Sequence, residues 1–117
     1  MHVPVGESAK LSCNASLTSD TMWTYYNVNV DDGYVRYVYW NGRIDRNYWP
    51  QFIMEGIRDH FHIFNIVAAQ PKHSGLYECF DENGARKAGY RLIIVGMRSL
   101  VVIVCNLRYL AKTVITS

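Results

Sequence analysis

Apolar and polar residues alternate along most of this chain in short runs, and turn-forming residues separate the runs. Ala9-Lys10-Leu11-Ser12-Cys13 places Ala9, Leu11 and Cys13 on one face of an extended segment. A Ser/Thr/Asp/Asn-rich stretch follows, and the β-favouring pattern resumes over Thr21 to Tyr25. Tyr34 to Trp40 is dense in Tyr and Val, and Asn41-Gly42 predicts a type I′ turn into a returning strand from Arg43 to Tyr48. Phe61, Ile63 and, less regularly, Ile66 mark another strand. Leu76 to Phe80 and Tyr90 to Val95 complete the set, joined through Asp81-Glu82-Asn83-Gly84. No segment before residue 96 has helical periodicity, and there are no repeats or low-complexity linkers. The pattern predicts an all-β antiparallel protein built as a β-sandwich.

At 117 residues the chain holds one core. Half its residues are apolar and a fifth are charged, which excludes a disordered chain. A net charge of +2, with no block of like charges, gives no footprint for nucleic acid. Nine Tyr and three Trp are many for this length, and such residues serve cores and recognition surfaces alike. The three cysteines, at 13, 79 and 105, form no CxxC pair and no zinc-type Cys/His cluster, so neither a structural metal nor a cofactor is expected. A disulfide between Cys13 and Cys79 would close a loop of about 65 residues and stabilise the fold by roughly 4 kcal/mol, in an oxidising compartment. Asn14-Ala15-Ser16 is an N-glycosylation sequon and points to the same compartment. Met1-His2-Val3-Pro4 has neither the basic start nor the apolar core of a signal peptide, so a targeting segment is expected to have been removed.

The order of features is more specific than any one of them. A strand ends in Cys13, Trp23 lies on the next, and Tyr77 precedes Cys79 by two residues. With Gly6-Glu7-Ser8, Leu11-Ser12-Cys13, Arg58, Phe61-His62-Ile63 and "AAQPKHSGLYEC" (68–79), the chain resembles the immunoglobulin superfamily, and more closely its variable-type domains. The resemblance covers residues 3 to 95 and implies a variable-type sandwich over residues 1–96. In it a Cys13–Cys79 disulfide joins the sheets, Trp23 packs on that disulfide, and the Tyr77 hydroxyl turns back to the preceding corner, which Gly75 lets the backbone make. Residues 34 to 48 would supply the extra hairpin that distinguishes variable-type from constant-type domains. Three features depart from the family. Nine residues separate Cys13 from Trp23, Thr24-Tyr25-Tyr26-Asn27 lacks the Gln that often links paired domains, and "AGYRLIIV" lacks a Gly-x-Gly bulge. They point away from a rearranged antigen receptor and towards a germline-encoded cell-surface or viral domain.

Candidate sites are few. His73 stands where the family commonly has an Asp paired with an Arg at the start of the fifth strand, here Arg58. The residues alone read His73 as a neutral surface side chain. The sharper reading sets protonated His73 beside Arg58 and weakens the domain near pH 5 to 6. His60 and His62 alternate and could point from one face of a strand as an H-x-H metal pair, but edge histidines are the commoner explanation where no third ligand is near. Ser8, Ser12 and Ser74 have no nucleophile elbow, and no enzyme activity is expected. The aromatic cluster is richer: Tyr34, Tyr37, Tyr39, Trp40, Tyr48 and Trp49, rimmed by Arg36, Arg43 and Arg46, has the composition of a protein-binding hot spot. The tail, residues 97–117, holds "LVVIVC" (100–105) between Arg98 and Arg108, too interrupted for a spanning helix. Its odd Cys105 is either shielded or paired with another chain.

The expectation is an extracellular or cell-surface recognition domain that binds an immune or other cell-surface protein, a virus-encoded immune modulator being one version. A homophilic adhesion module or dimer, or an auxiliary subunit of a membrane assembly, is the alternative.

Overall fold

Alternation decides the strands. In β2 (Ala9–Cys13) residues 9, 11 and 13 are buried and Lys10 is exposed. In β8 (Gly75–Phe80) the buried residues are 75, 77 and 79. The computed structural model describes residues 1–27, 34–45 and 50–96. The other strands are β1 (His2–Pro4), β3 (Met22–Tyr26), β4 (Arg36–Trp40), β5 (Arg43–Ile44), β6 (Phe52–Arg58), β7 (Phe61–Ile66) and β9 (Arg86–Val95), with a 3₁₀ turn at Pro71–His73.

They form two sheets. One has six strands in the order β1-β9-β8-β3-β4-β5, and the other three in the order β2-β7-β6. The larger sheet is mixed, because β1 runs parallel to β9, while the smaller is antiparallel. The core lies between them, with Leu11, Phe52, Phe64 and Ile66 from one side and Trp23, Val38, Tyr77 and Leu92 from the other. The Cys13–Cys79 disulfide joins β2 to β8 and so ties the sheets through the core, with Cα atoms 6.4 Å apart.

Several boundaries differ from the sequence reading. β1 is too short to show a period, and β6 was hidden because Phe52-Ile53-Met54 is a run rather than an alternation. The last strand begins at Arg86 instead of Tyr90. β7 lies where expected but in the opposite phase: His62, Phe64 and Ile66 are buried, whereas Phe61 and Ile63 are half-buried. Asn41 and Gly42 have φ of 53° and 81°, as the type I′ turn requires. The returning strand is paired at Arg43–Ile44, and residues 46–49 lie outside the described residues, as does the 97–117 tail with Cys105.

Two backbone positions are demanding in opposite ways. Gly75 has φ +151°, and a Cβ there would lie 2.5 Å from the Tyr26 carbonyl oxygen and 2.6 Å from the Tyr25 ring. Ala68 has φ 51°, the left-handed region that costs an L-residue about 1–2 kcal/mol. Ala68→Gly is therefore expected to raise unfolding free energy by up to about 1 kcal/mol, after the entropy that Gly adds to the unfolded chain. Gly75→Ala should lower it by at least about 2 kcal/mol. Urea denaturation of the two variants checks both signs.

Candidate functional site

The aromatic hairpin is placed by β3 and β4. Trp23 pairs with Tyr39, yet the next residue, Thr24, pairs with Tyr37, so β4 carries one extra residue, a β-bulge. In an unbroken strand Tyr37 and Tyr39 would share a face. Here Val38 and Tyr39 both turn into the core. Tyr37 and Trp40 instead stand together on the outer face, 50% and 51% exposed, with ring centroids 6.3 Å apart.

Register identifies their neighbours. Trp23 and Tyr25 point inward, so Met22, Thr24 and Tyr26 face out, and on β8 the outward residues are Leu76, Glu78 and Phe80. Met22 pairs with Phe80, and Met22 and Trp40 line one shallow hollow with Ser19, Asp20 and Asn41. Arg43 is exposed and pairs with Trp40. An exposed ion pair between Arg86 Nε and Glu78 Oε2, 2.6 Å long, crosses the adjacent β8–β9 ladder. The face thus carries two half-exposed aromatic rings, an apolar row leading away from them and charge at its margins.

Of the predicted partner-binding residues, Tyr34, Arg36, Tyr37, Trp40 and Arg43 are exposed. Tyr39 is not on this surface. It is 7% exposed, its hydroxyl donates to the Thr18 carbonyl at 3.3 Å, and burial raises its pKa. It forms one wall of a recess of about 770 Å³ with Leu17, Ile44, Phe52 and Met54. Arg46, Tyr48 and Trp49 lie outside the described residues. Met22 and Phe80 belong to the face and were missed; only the pairing of β3 with β8 brings them there.

His60 and His62 do not form a ligand pair. His60 sits in the β6–β7 turn with φ 65° and is exposed, so it shares no strand face with His62. His62 is fully buried. The Trp23 indole N–H donates to its Nε2 at 2.9 Å, so the ring proton is on Nδ1, which donates to the Ala15 carbonyl at 2.7 Å. Burial lowers the His62 pKa, and the Ala15 hydrogen bond opposes that shift. Cys13, His62 and Cys79 place their potential ligand atoms within 4.8 Å of one another. Both sulfurs are in the disulfide and both ring nitrogens are engaged, so this trio offers a metal no free donor.

His73 is likewise not a surface residue. It is 1% exposed, packs on Phe52 with ring centroids 5.5 Å apart, and its Nδ1 accepts the Gln70 backbone N–H at 2.8 Å. Arg58, the expected partner, lies at the far end of β6 and stacks over the Phe61 ring. The residue that meets His73 from the start of that strand is Phe52. Above the 3₁₀ turn the Tyr77 hydroxyl donates to the His73 carbonyl, and the Tyr25 hydroxyl reaches the carbonyls of Lys72 and Ser74. Trp23, Leu11, Tyr77 and Gly75, the other signature residues, are all buried. No family model matches this chain, and no curated protein matches it.

Burial, and secondarily the Lys72 charge, lowers the His73 pKa to about 4. Unfolded, His73 titrates near 6.5. Above that pH both states are neutral there and the residue contributes no pH dependence. Below it the unfolded chain takes up a proton that the folded chain refuses until about pH 4, so stability falls across that window by about 3 kcal/mol. Unfolding free energies measured from pH 7 to 4 should show this slope, and His73→Asn, which keeps an acceptor for Gln70, should reduce it and leave the part that His62, also buried with a lowered pKa, contributes in the same direction. His73→Asp should destabilise the domain at neutral pH, because it buries a carboxylate against Phe52.

Proposed function

We propose that this chain is a variable-type immunoglobulin-like domain that works outside the cell by recognising another protein through the outer face of its six-stranded sheet. Several features support the fold part of this reading. The sheets split as β1-β9-β8-β3-β4-β5 and β2-β7-β6, so the β4–β5 hairpin extends the sheet that holds β3, β8 and β9. A disulfide crosses the core, Trp23 is buried on the strand beside Cys79, and the Tyr77 hydroxyl bonds backbone four residues upstream. The disulfide fits an oxidising compartment, and no helix among the described residues is long and apolar enough to cross a membrane.

The observation that carries the functional part is the pair Tyr37 and Trp40. Aromatic side chains half exposed and side by side, flanked by Arg43 and continued by Met22 and Phe80, form the centre-and-rim composition of a hot spot. Recognition here is by contact and requires no bond-making chemistry from the chain. The partner that suits a cell-surface domain of this kind is a cell-surface or immune protein.

The test is a binding screen of the secreted domain against cell-surface ectodomains, with sedimentation of the same sample to detect self-association. Against the partner so found, Tyr37→Ala and Trp40→Ala are each expected to weaken binding about 30-fold or more, the equivalent of about 2 kcal/mol. Tyr39→Phe, which alters only a buried hydroxyl, should leave affinity unchanged. Full affinity in the double variant Tyr37→Ala/Trp40→Ala would refute the assignment of this face. Self-association lost in the same variant would make a second copy the partner.

A further inference from the structure

The sequon and the polar hollow beside it take no part in the aromatic face, and together they form a second feature. We propose that Asn14 carries an N-linked glycan whose first N-acetylglucosamine is seated in this hollow. The proposal rests on the extracellular part of the reading above and is independent of the aromatic face.

The local backbone sets the sequon up. The chain bends immediately after β2, and Ala15 is buried with its carbonyl held by His62 Nδ1. An inward Ala15 turns its two neighbours outward. Asn14 is exposed, and its carboxamide makes no hydrogen bond with any described residue. Ser16 faces the β6–β7 turn, where its hydroxyl accepts the His60 backbone N–H at 3.0 Å. Asn14 is therefore outside and Ser16 half-buried, and the residue that is free to vary is the one packed inside.

The hollow, about 220 Å³, is lined by Asn14, His60, Asp81, Asn83 and Lys87 among others. Its floor is held rigidly. Asp81 Oδ1 accepts the backbone N–H groups of Asn83 and Ala85, both at 2.9 Å, and Oδ2 lies 3.8 Å from Lys87 Nζ. These backbone bonds, foremost the one from Ala85, hold the Asp81 carboxyl below its ordinary pKa. Asp81 is committed to two amides and a lysine, and Glu82 also lines the hollow. The hollow offers a mixture of donors and acceptors, which is what sugar hydroxyls and an acetamido group require.

The chemistry belongs to the compartment in which Cys13 and Cys79 are oxidised. The Asn14 amide nitrogen attacks C1 of the first sugar of a lipid-linked oligosaccharide diphosphate. The C1–O bond breaks, the lipid diphosphate leaves with its electron pair, and the amide gives up one proton.

The experiment uses the full chain secreted from cells that build only high-mannose glycans. Tryptic peptide 11–36 should carry hexose and N-acetylhexosamine mass that amidase treatment removes, leaving Asp at 14. Asn14→Gln should abolish that mass with secretion and the disulfide intact. Ser16→Thr should retain it. A secreted, disulfide-bonded protein with unmodified Asn14 would overturn the site without touching the aromatic-face reading. For the seating, protein trimmed enzymatically to a single sugar is compared with Asn14→Gln. The single sugar should raise the melting midpoint by about 4 °C or more, and equal midpoints would overturn the contact with the hollow. Partner binding by Asn14→Gln should be unchanged.

Discussion

Trp23 is the residue to which the rest of the molecule is registered. Its indole is fully buried, and an indole N–H in a dry core must find an acceptor or forfeit about 1–3 kcal/mol. That acceptor is His62 on the opposite sheet. One hydrogen bond thereby fixes β3 against β7, sets the tautomer of His62 and points Nδ1–H at Ala15. Within its own sheet Trp23 stands between Cys79 and Tyr39, and its ring lies 5.0 Å from that of Phe64. The disulfide supplies the covalent half of the same junction, since His62 Nε2 is 3.8 Å from Cys79 Sγ. Oxidation of the cysteines restricts the unfolded chain, whereas the Trp23–His62 bond selects which side chains meet once the chain has folded.

The outer face inherits its composition from that junction. Because Trp23 holds Tyr39 inward opposite it, the extra residue of β4 must be absorbed beside them, and Val38 goes into the core with Tyr39. Residues three apart, Tyr37 and Trp40, are left to share a surface. A bulge here bends the strand and re-aims a ring, which an alternating pattern cannot do. The exposed aromatic pair is thus a consequence of core registry, and a substitution that removed the bulge would exchange Trp40 for Tyr39 at the surface.

This explains which parts of the molecule could be read from its sequence. The positions of Cys13, Trp23, Gly75, Tyr77 and Cys79 were legible because each carries a fixed chemical role at a fixed spacing. The Asn41-Gly42 turn was legible because few residue pairs accept two positive φ angles. The aromatic richness of residues 34–49 was also plain, but not the identity of the exposed rings, since one inserted residue reverses the alternation that a reader relies on. The inward phase of β7 was obscured for a related reason. A histidine stands at an apolar-phase position, and only the facing indole turns it from a surface ligand into a core acceptor.

His73 follows the same logic at the other end of the strands. Measured against a family in which an acidic residue pairs with an Arg, a histidine there reads as a lost ion pair exposed to water. The opposing strand, however, begins with Phe52 at that position, and Arg58 lies six residues further along. An aromatic ring facing an imidazole excludes water, so the corner is held by packing and by hydroxyl-to-carbonyl bonds from Tyr25 and Tyr77 instead of by charge. Such a corner tolerates salt, since exposed ion pairs are what ionic strength screens. It is exposed to acid instead, since a buried imidazole must stay neutral for the ring packing to survive. The corner is therefore sensitive to acid rather than to salt, and a spacing-based reading could not detect this because Phe52 and His73 are twenty-one positions apart.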